Sequence, residues 1–123
     1  MPNPVVHFAI IGKNAASLRS FYNQAFGWDA PAPIAGSPAN YSLIERQEGQ
    51  GISGGIGQCP DGSYEGHVTF YIGVPNIEDA LRKVETLGGT RVSGPDSVPN
   101  GPVIGSFRDP ESRFIGLVEI PSA

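Results

Sequence analysis

The chain contains an internal repeat, and this repeat constrains the fold more than any other feature of the sequence. The first copy reads His7-Phe-Ala-Ile-Ile-Gly12, followed by Asn14 and a helical pattern that ends at Gly27. The second copy reads His67-Val-Thr-Phe-Tyr-Ile-Gly73, followed by Asn76 and a helical pattern that ends at Gly88. Each copy predicts a buried strand and then an amphipathic helix with an asparagine N-cap. A histidine opens the strand in both halves, which raises the question of a shared central site.

The repeat predicts one α+β domain over residues 1–123, built of two βαβββ modules. A chain of 123 residues can bury one core but not two independent ones. The first module covers about residues 4–58 and the second about 67–121, and residues 59–66 have the composition of a linker. One module cannot bury its sheet alone, so the two must pair.

The later part of each module predicts short strands. In the first module these are Tyr41 to Arg46 and the glycine-rich Gly51 to Gln58. In the second module a strand over Thr90 to Ser93 precedes a turn over Gly94 to Gly101. A final hairpin pairs residues 103–107 with residues 113–120 across the turn Asp109-Pro110-Glu111-Ser112.

Charge and composition exclude several classes of partner. The net charge of −4 argues against nucleic acid and anionic membrane, because both require basic patches. No apolar run reaches the roughly 18 to 20 residues that span a bilayer. The N-terminus lacks the basic and apolar regions of a secretion signal. A lone cysteine, Cys59, permits no intramolecular disulfide and no multi-cysteine metal site, so a cytoplasmic location is expected.

Strand alternation places each histidine on the face of its strand that is opposite the uniformly apolar face. In the first strand Val6, Phe8 and Ile10 alternate with His7, and in the fourth Val68, Phe70 and Ile72 alternate with His67. The apolar faces are expected to pack under the helices, and the others to look into a cleft of mixed polarity. Trp28, after the first helix, is expected in the core. The predicted cleft residues are His7, His67, Thr69, Tyr71, Tyr41, Phe107 and Phe114.

Three sequence segments, in this order along the chain, resemble segments of the vicinal oxygen chelate superfamily. This superfamily includes glyoxalase I, extradiol dioxygenases and bleomycin resistance proteins. The three segments are Ser20-Phe-Tyr-Asn-Gln-Ala-Phe-Gly-Trp28, Ile77-Glu-Asp-Ala-Leu-Arg-Lys-Val-Glu-Thr-Leu-Gly-Gly89 and Phe107-Arg-Asp-Pro-Glu-Ser-Arg-Phe-Ile-Gly-Leu-Val-Glu119. The resemblance implies a glyoxalase-like fold, in which two paired βαβββ modules form a cupped, partly closed barrel of mixed β-sheet. It also implies a homodimer.

The resemblance further implies where a metal site would lie. In metal-dependent members the first and last strands of each module supply ligands, and His7 and His67 match the first-strand positions. The last-strand position falls on Gly116, with Glu119 turned to the opposite face, and residues 51–57 contain no carboxylate or imidazole. Two imidazoles make a weak site without a third ligand, for which Glu45 is the candidate. The pattern indicates a branch that lacks the metal carboxylates, and no cofactor is expected.

Three functions remain open on these observations. The first is a metal-independent protein that binds a small organic molecule in the cleft. The second is an enzyme, either a glyoxalase-like lyase or isomerase or a dioxygenase, that uses His7 and His67 with a divalent metal. The third is a structural partner for another chain, which predicts a closed apolar cleft.

Overall fold

The computed structural model of the chain describes residues 2–29, 33, 40–46, 50–59, 66–98 and 101–121. No helix in this described part has the length and apolar character to cross a membrane. The contacts divide the chain into two compact units. The first unit is His7–Val68, and the second is Met1–Val6 with Thr69–Ala123. The helices and strands of the described residues are β1 Val5–Gly12, α1 Ala15–Phe26, β2 Ser42–Ile44, β3 Ser53–Gln58, β4 His67–Val74, α2 Ile77–Thr86, β5 Thr90–Ser97, β6 Val103–Arg108 and β7 Phe114–Glu119.

In the first unit β3 is the middle strand. It pairs parallel to β1 and antiparallel to β2. The helix begins where predicted, because the side chain of Asn14 accepts a hydrogen bond from the Ser17 N–H at 3.0 Å. It ends at Gly27, whose φ of 75° suits a glycine and whose N–H donates to the Asn23 carbonyl at 2.8 Å. Ala15 and Ile56 are fully buried here.

In the second unit β7 pairs parallel to β4 and antiparallel to β6, and β6 pairs antiparallel to β5. The side chain of Asn76 caps α2 by accepting from the Asp79 N–H at 2.9 Å. A cluster of Val74, Ile77, Leu81 and Leu117 forms the buried core under α2. The predicted hairpin turn is confirmed, since the Asp109 carboxylate accepts from the N–H groups of Glu111 and Arg113.

The predicted turn over Gly94 to Gly101 is wrong in its first half, because β5 continues to Ser97. Its end is a turn, in which the Gly101 N–H donates to the Val98 carbonyl at 2.9 Å. The strand passes this region with two register shifts against β6. Gly94 allows the passage: it has a φ of +99°, and a Cβ there would lie 2.6 Å from the Cα of Gly105. Pro95 has no N–H to donate to a neighbouring strand. An irregular edge strand such as β5 tolerates this loss.

The expected burial of one face of β4 under a helix is only partly correct. Ile72 and Val74, at the end of the strand, belong to the α2 core. Val68 and Phe70, at its beginning, are 74% and 39% exposed. The reason is the placement of α2, a helix of ten residues that contacts β5, β6 and β7. The predicted linker lies outside the described residues except at its two ends.

Candidate functional site

His7 is held between two hydroxyl groups in the first unit. Its Nδ1 lies 2.9 Å from Ser53 Oγ, and its Nε2 lies 3.0 Å from Tyr41 Oη. Ser53 stands directly opposite His7 in the parallel pairing of β1 and β3. The side chain is half-buried, and this burial lowers the pKa of His7 from its usual 6.5. The imidazole is therefore neutral at neutral pH, with both ring nitrogens in hydrogen bonds to protein side chains.

Tyr41 reaches His7 by lying across Gly55. A Cβ added to Gly55 would fall 2.0 Å from Cζ and Oη of Tyr41, so the ring occupies the space above this glycine. Gly55 pairs with Ala9, which shares the face of His7. Tyr41, one of the predicted cleft residues, therefore lies beside His7 on the face of Ala9. Ser53 was missed by the sequence analysis, although its place in the run of residues 51–57 put it on a strand beside the first.

The second unit contains a similar arrangement around Tyr71. A Cβ on Gly116, its partner in β7, would lie 2.5 Å from the Tyr71 ring. Thr69 is buried, and its hydroxyl donates to the Phe114 carbonyl at 2.7 Å. Burial also raises the pKa of the Tyr71 phenol, which keeps it protonated. Thr69, Tyr71 and Phe114 are therefore neighbours, as the sequence analysis predicts for three of its seven residues.

The structure places Thr69, and not His67, at the position equivalent to His7. Thr69 precedes the helix cap Asn76 by seven residues, as His7 precedes Asn14, whereas His67 precedes Asn76 by nine. The strand pairing supports the same equivalence. Five residues after His7, Gly12 stands opposite Gln58, and five residues after Thr69, Val74 stands opposite Glu119. The two opposite residues have the same role: Gln58 accepts from the Ala15 N–H at 3.0 Å and Glu119 from the Ile77 N–H at 3.1 Å. The matched histidines of the sequence are therefore not structural counterparts.

Phe107 does not share the sheet face of Tyr71 in the second unit, which corrects its prediction as a cleft residue. It pairs with Ile115 and packs against the core under α2, so it shares the helix side of the sheet. Tyr71 and Gly116 alternate with these residues and lie on the other side. His67 is half-buried at the start of β4. Glu119 also lies on the helix side, at the N-terminus of α2, which confirms that it is turned away from the position of Gly116.

Among the described residues, the side chains around His7 and Tyr71 do not form a set of ligands for a divalent metal. Within the described ranges no three His, Cys, Asp or Glu side chains are grouped as metal ligands. Tyrosine rings fill the space above Gly55 and above Gly116, the second being the position to which the family resemblance assigns a last-strand ligand. Thr69 stands where a second imidazole would be required, and its hydroxyl is already donated to a carbonyl. Glu45, the candidate third ligand, is exposed just after β2 and lines a different pocket.

That pocket lies in the first unit and has a volume of about 230 Å³. Phe8 alternates with His7 along β1, so its ring is on the opposite face of the strand. Trp28 is half-buried with its ring 5.3 Å from that of Phe8, so the expectation of a core tryptophan is only partly met. The sequence analysis missed this pocket, whose walls come from segments distant in the chain: Phe8, Trp28, Ile44, Glu45, Gln50 and Ile52.

Comparison with known proteins identifies the fold. No curated protein matches the chain at a significant level. A hypothetical protein from Bacillus halodurans C-125 is 15% identical with a TM-score of 0.72, over 100% of this chain and 98% of that one. Methylmalonyl-CoA epimerase from Mycobacterium tuberculosis is 13% identical with a TM-score of 0.71, over 97% and 88%. A Streptomyces coelicolor methylmalonyl-CoA epimerase variant, in complex with 2-nitronate-propionyl-CoA, is 12% identical with a TM-score of 0.72, over the whole of both chains.

These similarities confirm the predicted glyoxalase-like α+β fold, since they extend over nearly all of the chain. At such low sequence identity, structural similarity is evidence of the fold alone. The family itself is shown by sequence, because the model of one family matches residues 5–113. The chain belongs to the Glyoxalase/Bleomycin resistance protein/Dioxygenase superfamily.

Proposed function

We propose that this chain is a metal-independent member of the superfamily that binds a small organic molecule on the face of His7 and Tyr41. One observation supports the proposal most: a tyrosine ring covers Gly116, the position to which the family resemblance assigns a last-strand ligand, and another covers Gly55 in the glycine-rich strand of the first unit. A carboxylate at either position would have to displace a ring. Only His7 remains of the four ligand positions, and one imidazole does not hold a catalytic metal.

The hydrogen bonds of His7 indicate how this face would contact a ligand. Both ring nitrogens are already paired, so the imidazole itself is a poor ligand for a metal ion. The hydroxyl groups of Tyr41 and Ser53 lie beside this imidazole, and a hydroxyl group can both donate and accept hydrogen bonds. They can therefore bind a carbonyl or hydroxyl of a small molecule. Tyr71 and Thr69 offer comparable polar groups in the second unit.

The proposal is tested by saturation-transfer NMR with a library of small carbonyl and hydroxyl compounds on protein treated with EDTA. We expect compounds that bind the wild type in EDTA and lose most of their affinity in His7→Ala and Tyr41→Phe. The matched control is Tyr22→Phe, which removes a hydroxyl from α1 and leaves binding unchanged. Binding that appears only when a divalent metal is restored would contradict the proposal.

The enzyme alternative is favoured by one observation, the neutral His7 between two hydroxyl groups. A neutral imidazole in a hydrogen-bonded chain can accept a proton from a substrate carbon or hydroxyl. Two similar structures are methylmalonyl-CoA epimerases, one with a CoA compound bound. Epimerisation of methylmalonyl-CoA is therefore the reaction to assay first, with and without EDTA. EDTA-resistant turnover that His7→Ala abolishes would support a metal-free enzyme; turnover that needs added metal would favour the metalloenzyme.

We further propose that the chain is a cytoplasmic homodimer. Cys59 is the only cysteine of the chain and its side chain is buried, which suits a reducing compartment. Large apolar side chains are exposed on the described surface, with Phe21 at 58%, Phe26 at 67% and Val68 at 74%. Such groups often mark an interface. Light scattering coupled to gel filtration tests this, with twice the mass of one chain expected and the mass of a single chain contradicting it.

A further inference from the structure

We infer that the pocket beside Trp28 is a second binding site, selective for a compact organic ammonium ion that carries an aromatic ring. It is separate from the face of His7, because Phe8 and His7 project to opposite sides of β1. The inference does not depend on the proposed function of the His7 face, and the two can fail independently.

The walls of the pocket are aromatic and apolar. The Phe8 ring lies over Gly54, where an added Cβ would come within 2.1 Å of it, and this contact fixes its position. Trp28 lies 5.3 Å from Phe8 between ring centroids and is stacked on Tyr22 at 5.0 Å with an interplanar angle of 14°. Ile44 is buried and gives the pocket an aliphatic wall. These contacts hold the aromatic walls in place before a ligand binds.

Size and charge define the ligand. A cavity of about 150 Å³ holds one benzene ring, so the present volume of about 230 Å³ admits one ring with a short tail. Glu45 is the only charged side chain among the described residues that line the pocket, and it is exposed at its edge. A carboxylate near aromatic faces favours a cation, which both groups attract. The net charge of −4 acts in the same direction and disfavours anions.

The chain carries its own reporter for this site, since Trp28 is its only tryptophan. The experiment titrates 2-phenylethylammonium while the fluorescence of Trp28 is recorded. The same titration is repeated with 2-phenylethanol, which is neutral, and with 3-phenylpropanoate, which is an anion. We expect saturable binding of the cation, about three- to tenfold tighter than that of the alcohol, with the anion weakest. No saturable response to the cation, or equal affinity for cation and alcohol, would overturn the inference.

Three variants sharpen the test. Glu45→Gln is expected to lose most of the preference for the cation while the alcohol binds as before. Glu111→Gln removes the same charge from an exposed turn of the second unit and is expected to behave as wild type. Gln50→Glu adds a carboxylate to the pocket and is expected to tighten cation binding.

An equal loss in Glu45→Gln and Glu111→Gln, or no gain in Gln50→Glu, would contradict the role of the carboxylate. His7→Ala separates the two proposals, because it should abolish binding on the His7 face and leave the Trp28 response intact. A Trp28 response lost in His7→Ala would show that the pocket is not a separate site.

Discussion

The phenol group of Tyr41 lies over the backbone of Gly55, so close that a Cβ on this glycine would be 2.0 Å from both Cζ and Oη. Tyr71 stands in the same relation to Gly116 in the second unit. In each unit the contact lies on the face of the strands that is turned away from the helix of that unit. These contacts support the proposal of metal independence, because a ring that fills this space leaves no room for a metal-binding side chain.

The first prediction is a steric coupling between Tyr41 and Gly55. Gly55→Ala is expected to destabilise the protein by about 1 to 3 kcal/mol, since an added methyl group must displace the ring or the strand. In a Tyr41→Ala background the same change should cost much less. Urea denaturation of the four proteins of this double-mutant cycle gives the coupling free energy. Strictly additive free energies of unfolding would show that the ring does not occupy this space.

The second prediction concerns the two side chains that pair with the helix N-termini. Glu119→Ala is expected to lower the free energy of unfolding by about 0.5 to 2 kcal/mol, because the Ile77 N–H loses its acceptor. Glu119→Gln should cost much less, since Gln58 already performs this role for the Ala15 N–H of α1. Urea denaturation measures both changes, with exposed Glu111→Ala as the control. Equal losses for the Ala and Gln variants of Glu119 would refute the hydrogen-bond role.

The third prediction follows from the lowered pKa of His7. The unfolded chain binds a proton at this histidine near its usual pKa of 6.5, whereas the folded chain does so only at lower pH. The unfolded state therefore holds more protons as the pH falls, and stability is lost from about pH 7 downwards until His7 is protonated in the folded state too. His7→Gln keeps hydrogen-bonding groups near both hydroxyls but cannot titrate.

Urea midpoints measured from about pH 7.5 to about pH 5 should therefore fall more steeply for the wild type than for His7→Gln. The carboxylates titrate in both proteins, so the difference between the curves belongs to His7. Parallel curves for the two proteins would contradict the buried, neutral imidazole.

Local chemistry made the helices predictable. Asn14 and Asn76 bond to N–H groups three residues ahead, and Gly27 takes a positive φ, so each boundary depends on residues that are adjacent in sequence. The Asp109 turn was predictable for the same reason. The continuation of β5 was not, because Gly94 and Pro95 are typical of turns and only the approach of β6 keeps them in a strand.

The candidate site was predictable in part. Strand alternation placed Tyr71 on the face of Thr69, and Tyr41 was among the residues expected in the cleft. Because both strands begin with a histidine, the sequence suggested that His7 and His67 are equivalent. The number of residues between each histidine and its helix cap contradicts this, and that number can be read from the sequence. Phe107 and the pocket beside Trp28 depend on which side of the sheet a helix covers and on segments distant in the chain. Neither the side that a helix covers nor the contacts between distant segments can be predicted from hydrophobic periodicity alone.

The measurement that tests metal independence most directly is calorimetric titration of the EDTA-treated protein with Zn²⁺, Ni²⁺, Mn²⁺ and Fe²⁺, together with elemental analysis of the protein as purified. Wild type, His7→Ala and His67→Ala are compared. We expect no stoichiometric metal in any of them and the same weak background in all three. One tightly bound metal per chain that disappears in His7→Ala and persists in His67→Ala would contradict metal independence and establish a metal centre at His7.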